Sequence, residues 1–389
     1  MSDDPFGKWW PCLRKHYKRV NLWLPRAKAL QMALAGQRPF RYFTLCARPM
    51  IDVYMLVREK VLSFDMEAHR VRGVSFCECN ETIFPEMKEL IGVEEAGFFG
   101  RLEDLVLFRD GSPQTQTLDT VKALTQFLEG EGEGLDESVR LIAESKRTHL
   151  QFMSWFPFDF LNLDFCDRYY GDPPDVMKIH ATIDRLLDWQ RRPGSAPGGG
   201  EFSVERFVVA ITCRVGSETP ASAVERLKRA VEDNRTDHAA YALALQARSI
   251  GNLDSWAYDD PLDFFMSAWP KEIARLARQK SWDIKIHDHA FYDRRNDEGV
   301  EYHMVCLVVE FVQAAVCRTY LEAVTKCLDA GSRAAIPRID PDGGDGARLL
   351  SGLREIVNLR NRQAKLFDRE PLPEPLAEIL RLRGLGVPI

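Results

Sequence analysis

Residues 282–287 read Trp282-Asp-Ile-Lys-Ile-His287 and residues 302–312 read Tyr302-His-Met-Val-Cys-Leu-Val-Val-Glu-Phe-Val312, with the turn-rich Arg294-Arg-Asn-Asp-Glu-Gly299 between them. Two β-rich runs joined by such a connection predict an antiparallel pair. Upstream, strand and helix patterns alternate. Arg41-Tyr-Phe-Thr-Leu-Cys-Ala47 is a short apolar strand, and Pro49 then opens a helix carrying Ile51, Val53, Tyr54, Leu56 and Val57 at helical spacing. Gly73-Val-Ser-Phe-Cys-Glu-Cys79 is a second strand, with Asn80 able to cap a helix over Glu81–Ile91. Gly100–Phe108 reads as a third strand, closed by Asp110-Gly111. Phe158-Asp-Phe-Leu-Asn-Leu-Asp-Phe-Cys166 reads as a buried fourth, releasing Asp164 and Asp167 into a loop, and Phe207–Cys213 as a fifth. Parallel strands need crossover helices. The expected fold class is therefore α/β: a doubly wound, mostly parallel sheet of five parallel strands plus the terminal antiparallel hairpin, with helical additions at the N and C termini.

The expected organisation is a basic, aromatic helical arm over 1–38, an α/β domain over 39–316 with helical insertions at about 112–157 and 218–280, and a helical extension over 317–389. Within the second part, Asp172-Pro173-Pro174 predicts a helix start, and Arg191–Gly200 a surface linker rather than a phosphate loop, because it lacks the Lys-Ser/Thr ending. The net charge of -6 excludes a polycation, so any nucleic-acid surface has to be local. The arm is the one candidate: eight basic residues against Asp3 and Asp4, interleaved with Trp9, Trp10, Tyr17 and Trp23. Those rings either stack on bases or cover the core as one face of an amphipathic helix. The C-terminal helices, with Leu349, Leu353 and Ile356 at helical spacing, pack on the domain or on a protein partner.

Nine scattered cysteines, mostly in apolar runs, suit a reducing compartment, and Cys77 and Cys79 have no second pair at zinc-finger spacing. No apolar run approaches a membrane span, and the expected location is cytoplasmic. His287, His289 and His303 read more simply as imidazoles on a half-buried sheet than as a metal site, so no metal is expected. Cys166 reads as a buried strand-end thiol more readily than as a nucleophile.

The order of elements over about 40–312, with the last hairpin inserting an antiparallel strand, resembles the class I S-adenosylmethionine-dependent methyltransferases. That resemblance implies S-adenosylmethionine as cofactor. It places Cys46, Ala47 and Arg48 in the turn after the first strand, where the family carries a glycine-rich turn and this sequence has no glycine. It assigns Glu78, with its neighbour Cys79, to the ribose hydroxyls, and Leu102 and Glu103 to the adenine edge. Asp164 and Asp167 take the substrate-facing place after the fourth strand, with catalytic roles: Asp164 orienting or deprotonating an acceptor and Asp167 assisting. The acceptor is then a nucleic acid if the arm contributes. The alternative is a catalytically degenerate, methyltransferase-like binding or scaffold subunit, which keeps the fold without the chemistry. A nucleotide-using enzyme of another doubly wound family is a third reading.

Overall fold

A computed structural model describes residues 13–34, 36–45, 50–65, 67–68, 70–92, 97–107, 137–171, 175–195, 201–215, 219–295, 301–314, 338–339, 348–349, 351–353 and 355–356. Seven strands form one sheet: β1 Tyr42–Thr44, β2 Val74–Glu78, β3 Gly97–Phe99, β4 Phe160–Arg168, β5 Arg206–Val215, β6 Trp282–Arg295 and β7 Glu301–Gln313. Their spatial order is β3-β2-β1-β4-β5-β7-β6. The first five run parallel, and β7 lies antiparallel between β5 and β6. The fold class is thus α/β with a mostly parallel sheet and a terminal hairpin. Two short antiparallel ribbons, Phe64–Asp65 with Arg70–Val71 and Gly194–Ser195 with Glu201–Phe202, stand apart from it.

Helices cover both faces, which is why β5 can be a nearly unbroken apolar run. On one face lie α1 Leu13–Tyr17, the π-helical turn Lys18–Trp23, α2 Leu24–Leu34 and α3 Ile51–Arg58. Pro25 supplies no N–H to an α-helical ladder just after the π-helical turn ends. Trp23 is fully buried there, stacked on Tyr42 at 6.3 Å and tilted against Phe160 at 5.5 Å. This aromatic residue of the arm covers the core. Leu349, Leu353 and Ile356 join the same cluster. On the other face Phe43, Leu161 and Leu163 pack with α6 Glu137–Ser154, α7 Lys178–Trp189, α8 Ala221–Asp237 and α11 Pro261–Gln279. Between α8 and α11 come α9 Ala239–Ala247 and α10 Leu253–Asp259, so four helices occupy most of residues 221–279.

The third strand differs from expectation. It is Gly97–Phe99 rather than Gly100–Phe108, and within the expected run Leu102–Val106 form the short helix α5. Gly100 stands at φ 131°, a conformation that an L side chain rarely adopts, and breaks the extended chain. Beyond it Leu102, Leu105 and Val106 bury one helical face, so the 3.6-residue period prevails over the apolar run. Gly73 is the other glycine the fold requires: at φ 77° its Cα faces the Phe40 carbonyl, and a Cβ would sit 2.1 Å from that oxygen. Its own carbonyl accepts from Tyr42 N–H at 2.7 Å, which begins the β1–β2 pairing.

The helix after β4 is described from Lys178; Asp172-Pro173-Pro174, residues 112–136 of the expected helical insertion and the Arg294–Gly299 turn beyond Arg295 lie outside the described residues. The hairpin strands are longer than their apolar runs because β6 continues through Arg295 with a bulge between Ile286 and Asp288. Among the described residues, no helix is long and apolar enough to cross a membrane.

Candidate functional site at the carboxyl edge of the sheet

β1 pairs with β2 on one side and β4 on the other, so the strand order reverses direction there. In open α/β sheets the crevice beyond the carboxyl ends of such strands is where ligands bind. Thr44, the last residue of β1, is aligned with Phe76 and Asn162. Glu78 and Asp164 each lie two residues further along, so both face the Trp23 side of the sheet and flank the path of the chain leaving β1. Cys46, Ala47 and Arg48, expected at this turn, lie outside the described residues. The chain re-emerges at Met50, which is buried and held at φ 45°, ψ 37°. A non-glycine residue in the left-handed region is strained, and strain of this kind collects at ligand sites.

Glu78 is half-buried. Its Oε1 accepts the Asn80 N–H at 2.8 Å, and Asn80 Oδ1 in turn accepts from the N–H groups of Thr82 and Ile83. Asn80 thus caps the turn entering α4 Ile83–Ile91, and its N–H holds Oε1 of the carboxylate, while Oε2 has no partner among the described residues. The Glu78 carbonyl accepts from Gly100 N–H at 2.9 Å, which brings the turn into α5 beside the tip of β2. Burial raises the Glu103 carboxyl, opposed by Lys178, so this acid holds its proton more strongly than usual. Leu102 beside it is a core residue, and Cys79 is exposed.

Asp164 is engaged from within the chain. Lys15 Nζ lies 3.1 Å from one carboxylate oxygen and Lys18 Nζ 3.4 Å from the other, and all three side chains are nearly inaccessible. Lys18 also donates to Thr212 Oγ1 at 2.8 Å, the residue beside Asp164 on β5. Burial by itself raises a carboxyl; here Lys15, Lys18 and Arg19 outweigh it and hold Asp164 far below the usual range. A carboxylate so stabilised is a poor proton acceptor. It anchors the arm. Only the backbone of Asp167, at the end of β4, is described.

Further arm cations have partners within the chain: Arg14 has the Asp293 carbonyl, Arg26 has Asp288 and Lys28 has Glu59 in partly exposed pairs, and Arg38, through two nitrogens, has Asp159. The imidazoles expected on a half-buried sheet take carboxylate partners, His287 with Glu310 at 2.6 Å and His303 with Asp293 at 2.7 Å. Among the described residues, no group of three His, Cys, Asp or Glu side chains is placed to hold a metal ion.

Two arrangements were not anticipated from the sequence. Asp52, in the first turn of α3 and buried, accepts from Tyr42 Oη at 2.8 Å, Thr44 Oγ1 at 2.6 Å and Asn162 Nδ2 at 3.4 Å, forming a polar ladder beneath the crevice. Its signal was an acid inside the apolar Ile51-Asp52-Val53-Tyr54. On the opposite face, Arg226 donates through Nε to the fully buried Glu272 at 2.6 Å and through Nη2 to His180 Nε2 at 3.1 Å. Because arginine only donates, His180 carries its hydrogen on Nδ1 and gives it to Tyr169 Oη at 3.2 Å. Burial, reinforced by Arg226, lowers His180 to about 4.

The carboxyl edge of the sheet therefore carries an oriented carboxylate at β2, a half-buried acid of raised proton affinity after β3, and a carboxylate at β4 bound by two lysines. Compared with protein-family models, curated proteins and solved structures, the chain matches none of them.

Proposed function

We propose that the chain is a divergent S-adenosylmethionine-binding protein of class I methyltransferase type, with its adenosyl site in the crevice beyond β1, β2 and β4. The observation that carries this reading is the strand order, in which β7 enters antiparallel between β5 and β6, together with Glu78 at the tip of β2 on the face shared with the β1–β4 switch. The residues present fit the ligand: Glu78, with one oxygen held by Asn80 and the other without a partner among the described residues, suits a pair of ribose hydroxyls, and Glu103 suits the adenine edge. Bound S-adenosylmethionine supplies an electrophilic methyl group; the chain's own part is to align an acceptor and exclude water.

One observation favours the second reading, a methyltransferase-like binding subunit without catalysis. Asp164, the acid best placed to receive an acceptor proton, is locked to Lys15 and Lys18. Nucleic acid as acceptor draws its support from the basic residues of 1–38; Lys15 and Lys18 are buried against Asp164, and Arg14, Arg26, Lys28 and Arg38 already have partners within the chain, so that support is weakened.

Isothermal titration with S-adenosylmethionine and S-adenosylhomocysteine tests the site: binding that weakens at least tenfold in Glu78→Ala is expected, and no heat at millimolar ligand removes both readings. Transfer of labelled methyl groups to nucleic acid or protein then separates enzyme from binding subunit.

A further inference from the structure

At the opposite, amino-terminal edge of the sheet, a cavity of about 470 Å³ opens between the ends of α2 and α3 and the chain entering β1. That volume is in the range of small-molecule sites. Its apolar wall includes Phe40, Leu62 and Phe64; its polar lining includes Arg38, Lys60, Ser63 and Arg72, and no acid. The two arginines are already balanced, Arg38 by Asp159 and Arg72 by Asp65. Neighbouring Glu59 is taken by Lys28 and Arg58. Lys60 has no partner among the described residues, so among them it is the one lining cation whose charge is not compensated.

The backbone at Lys60 adds a second, independent observation. α3 ends in the doubled hydrogen-bond closure of a Schellman motif: Val61 N–H reaches the Leu56 carbonyl at 2.9 Å and Lys60 N–H the Val57 carbonyl at 3.0 Å. The residue between them must be left-handed, and Lys60 stands at φ 60°. Glycine is the strain-free residue at that place. The chain instead carries lysine, an exposed residue that lines the cavity, at the cost of backbone strain.

The geometry points to a second binding site here for a small amphipathic anion, an aryl or acyl body bearing a carboxylate, sulfonate or phosphate. The apolar part lies against Phe40, Leu62 and Phe64, and the anionic group meets Lys60, with Ser63 as a hydroxyl donor. This site does not depend on the reading of the carboxyl edge.

Two dyes with the same body test it on the full chain: 8-anilinonaphthalene-1-sulfonate, which carries the anion, and N-phenyl-1-naphthylamine, which lacks it. The anionic dye is expected to bind the wild type, and to bind Lys60→Gly and Lys60→Gln at least tenfold more weakly. The neutral dye is expected to bind all three alike, and Arg191→Ala, an exposed charge elsewhere, to leave both unchanged. Lys60→Gly relieves the backbone, so its melting temperature should equal or exceed that of the wild type, which separates lost binding from lost folding. No binding of the anionic dye, affinity within twofold in both Lys60 variants, or an equal loss for the neutral dye would overturn the proposal.

Discussion

Lys18 bridges two adjacent strands, its ammonium 3.4 Å from the Asp164 carboxylate on β4 and 2.8 Å from the Thr212 hydroxyl on β5. Removing one partner from a buried charge pair leaves the other uncompensated, at a cost of about 3 kcal/mol. Lys18→Met should lose about that much stability in urea denaturation, and Lys18→Met combined with Asp164→Leu should lose less than the sum of the two single changes.

The same pair sets an acid limit. Asp164 has a folded-state affinity for protons below that of the unfolded carboxyl, near 3.9. Its contribution is therefore fully present above about pH 4 and is lost as pH falls further toward the folded value. Comparing wild type with Asp164→Asn, the stability gap measured at pH 5 should narrow by pH 3.

Two histidines act in a higher window. Burial, with Arg19 and Arg58 adding to it, lowers His16 to about 3, and His180 stands at about 4 for the reasons given. Between pH 6.5 and 4 the unfolded chain takes up protons that the folded chain refuses, so stability falls as pH falls, by about 1.4 kcal/mol per pH unit for each group. Denaturation midpoints between pH 7 and 4 should follow this slope, and His180→Gln should flatten it by about half.

Asp52 accepts from two hydroxyls and an amide that have no route to water. Asp52→Ala removes the acceptor of the buried Tyr42 and Thr44 hydroxyls, while Asn162 Nδ2 keeps Thr44 Oγ1 at 3.1 Å, a loss of about 3 kcal/mol, whereas Asp52→Asn keeps an acceptor oxygen and should lose about 1 kcal/mol. Chemical denaturation of the two variants is the measurement.

Gly73→Ala places a methyl against the Phe40 carbonyl, in a backbone conformation already reserved for glycine. The β1–β2 start cannot form without moving, and the variant should lose more than 3 kcal/mol or fail to accumulate as folded protein, read by circular dichroism.

The alternation of strands and helices was legible because each period repeats locally: β4 and β5 are apolar runs, and α7 carries Ile179, Ile183, Leu186 and Leu187 on one face. Leu105-Val106-Leu107 misled because three adjacent apolar residues fit either period, and the deciding angle at Gly100 is invisible in letters. Asp164 was identified as a strand-end acid. Its partners were not, because Lys15 precedes it by 149 residues, and charge pairing over that separation follows from topology rather than from pattern. Trp23 was open to two readings for the same reason: only the position of Tyr42 and Phe160 decides that its ring is covered.

Because Lys18 anchors to Thr212, 194 residues further along, the segment that carries it cannot reach its final place until β5 has been made. That segment is thus a late fastener of the fold. Until β4 and β5 are both in place, Lys18 lacks the carboxylate and the hydroxyl it bridges, so this contact of long sequence separation forms late.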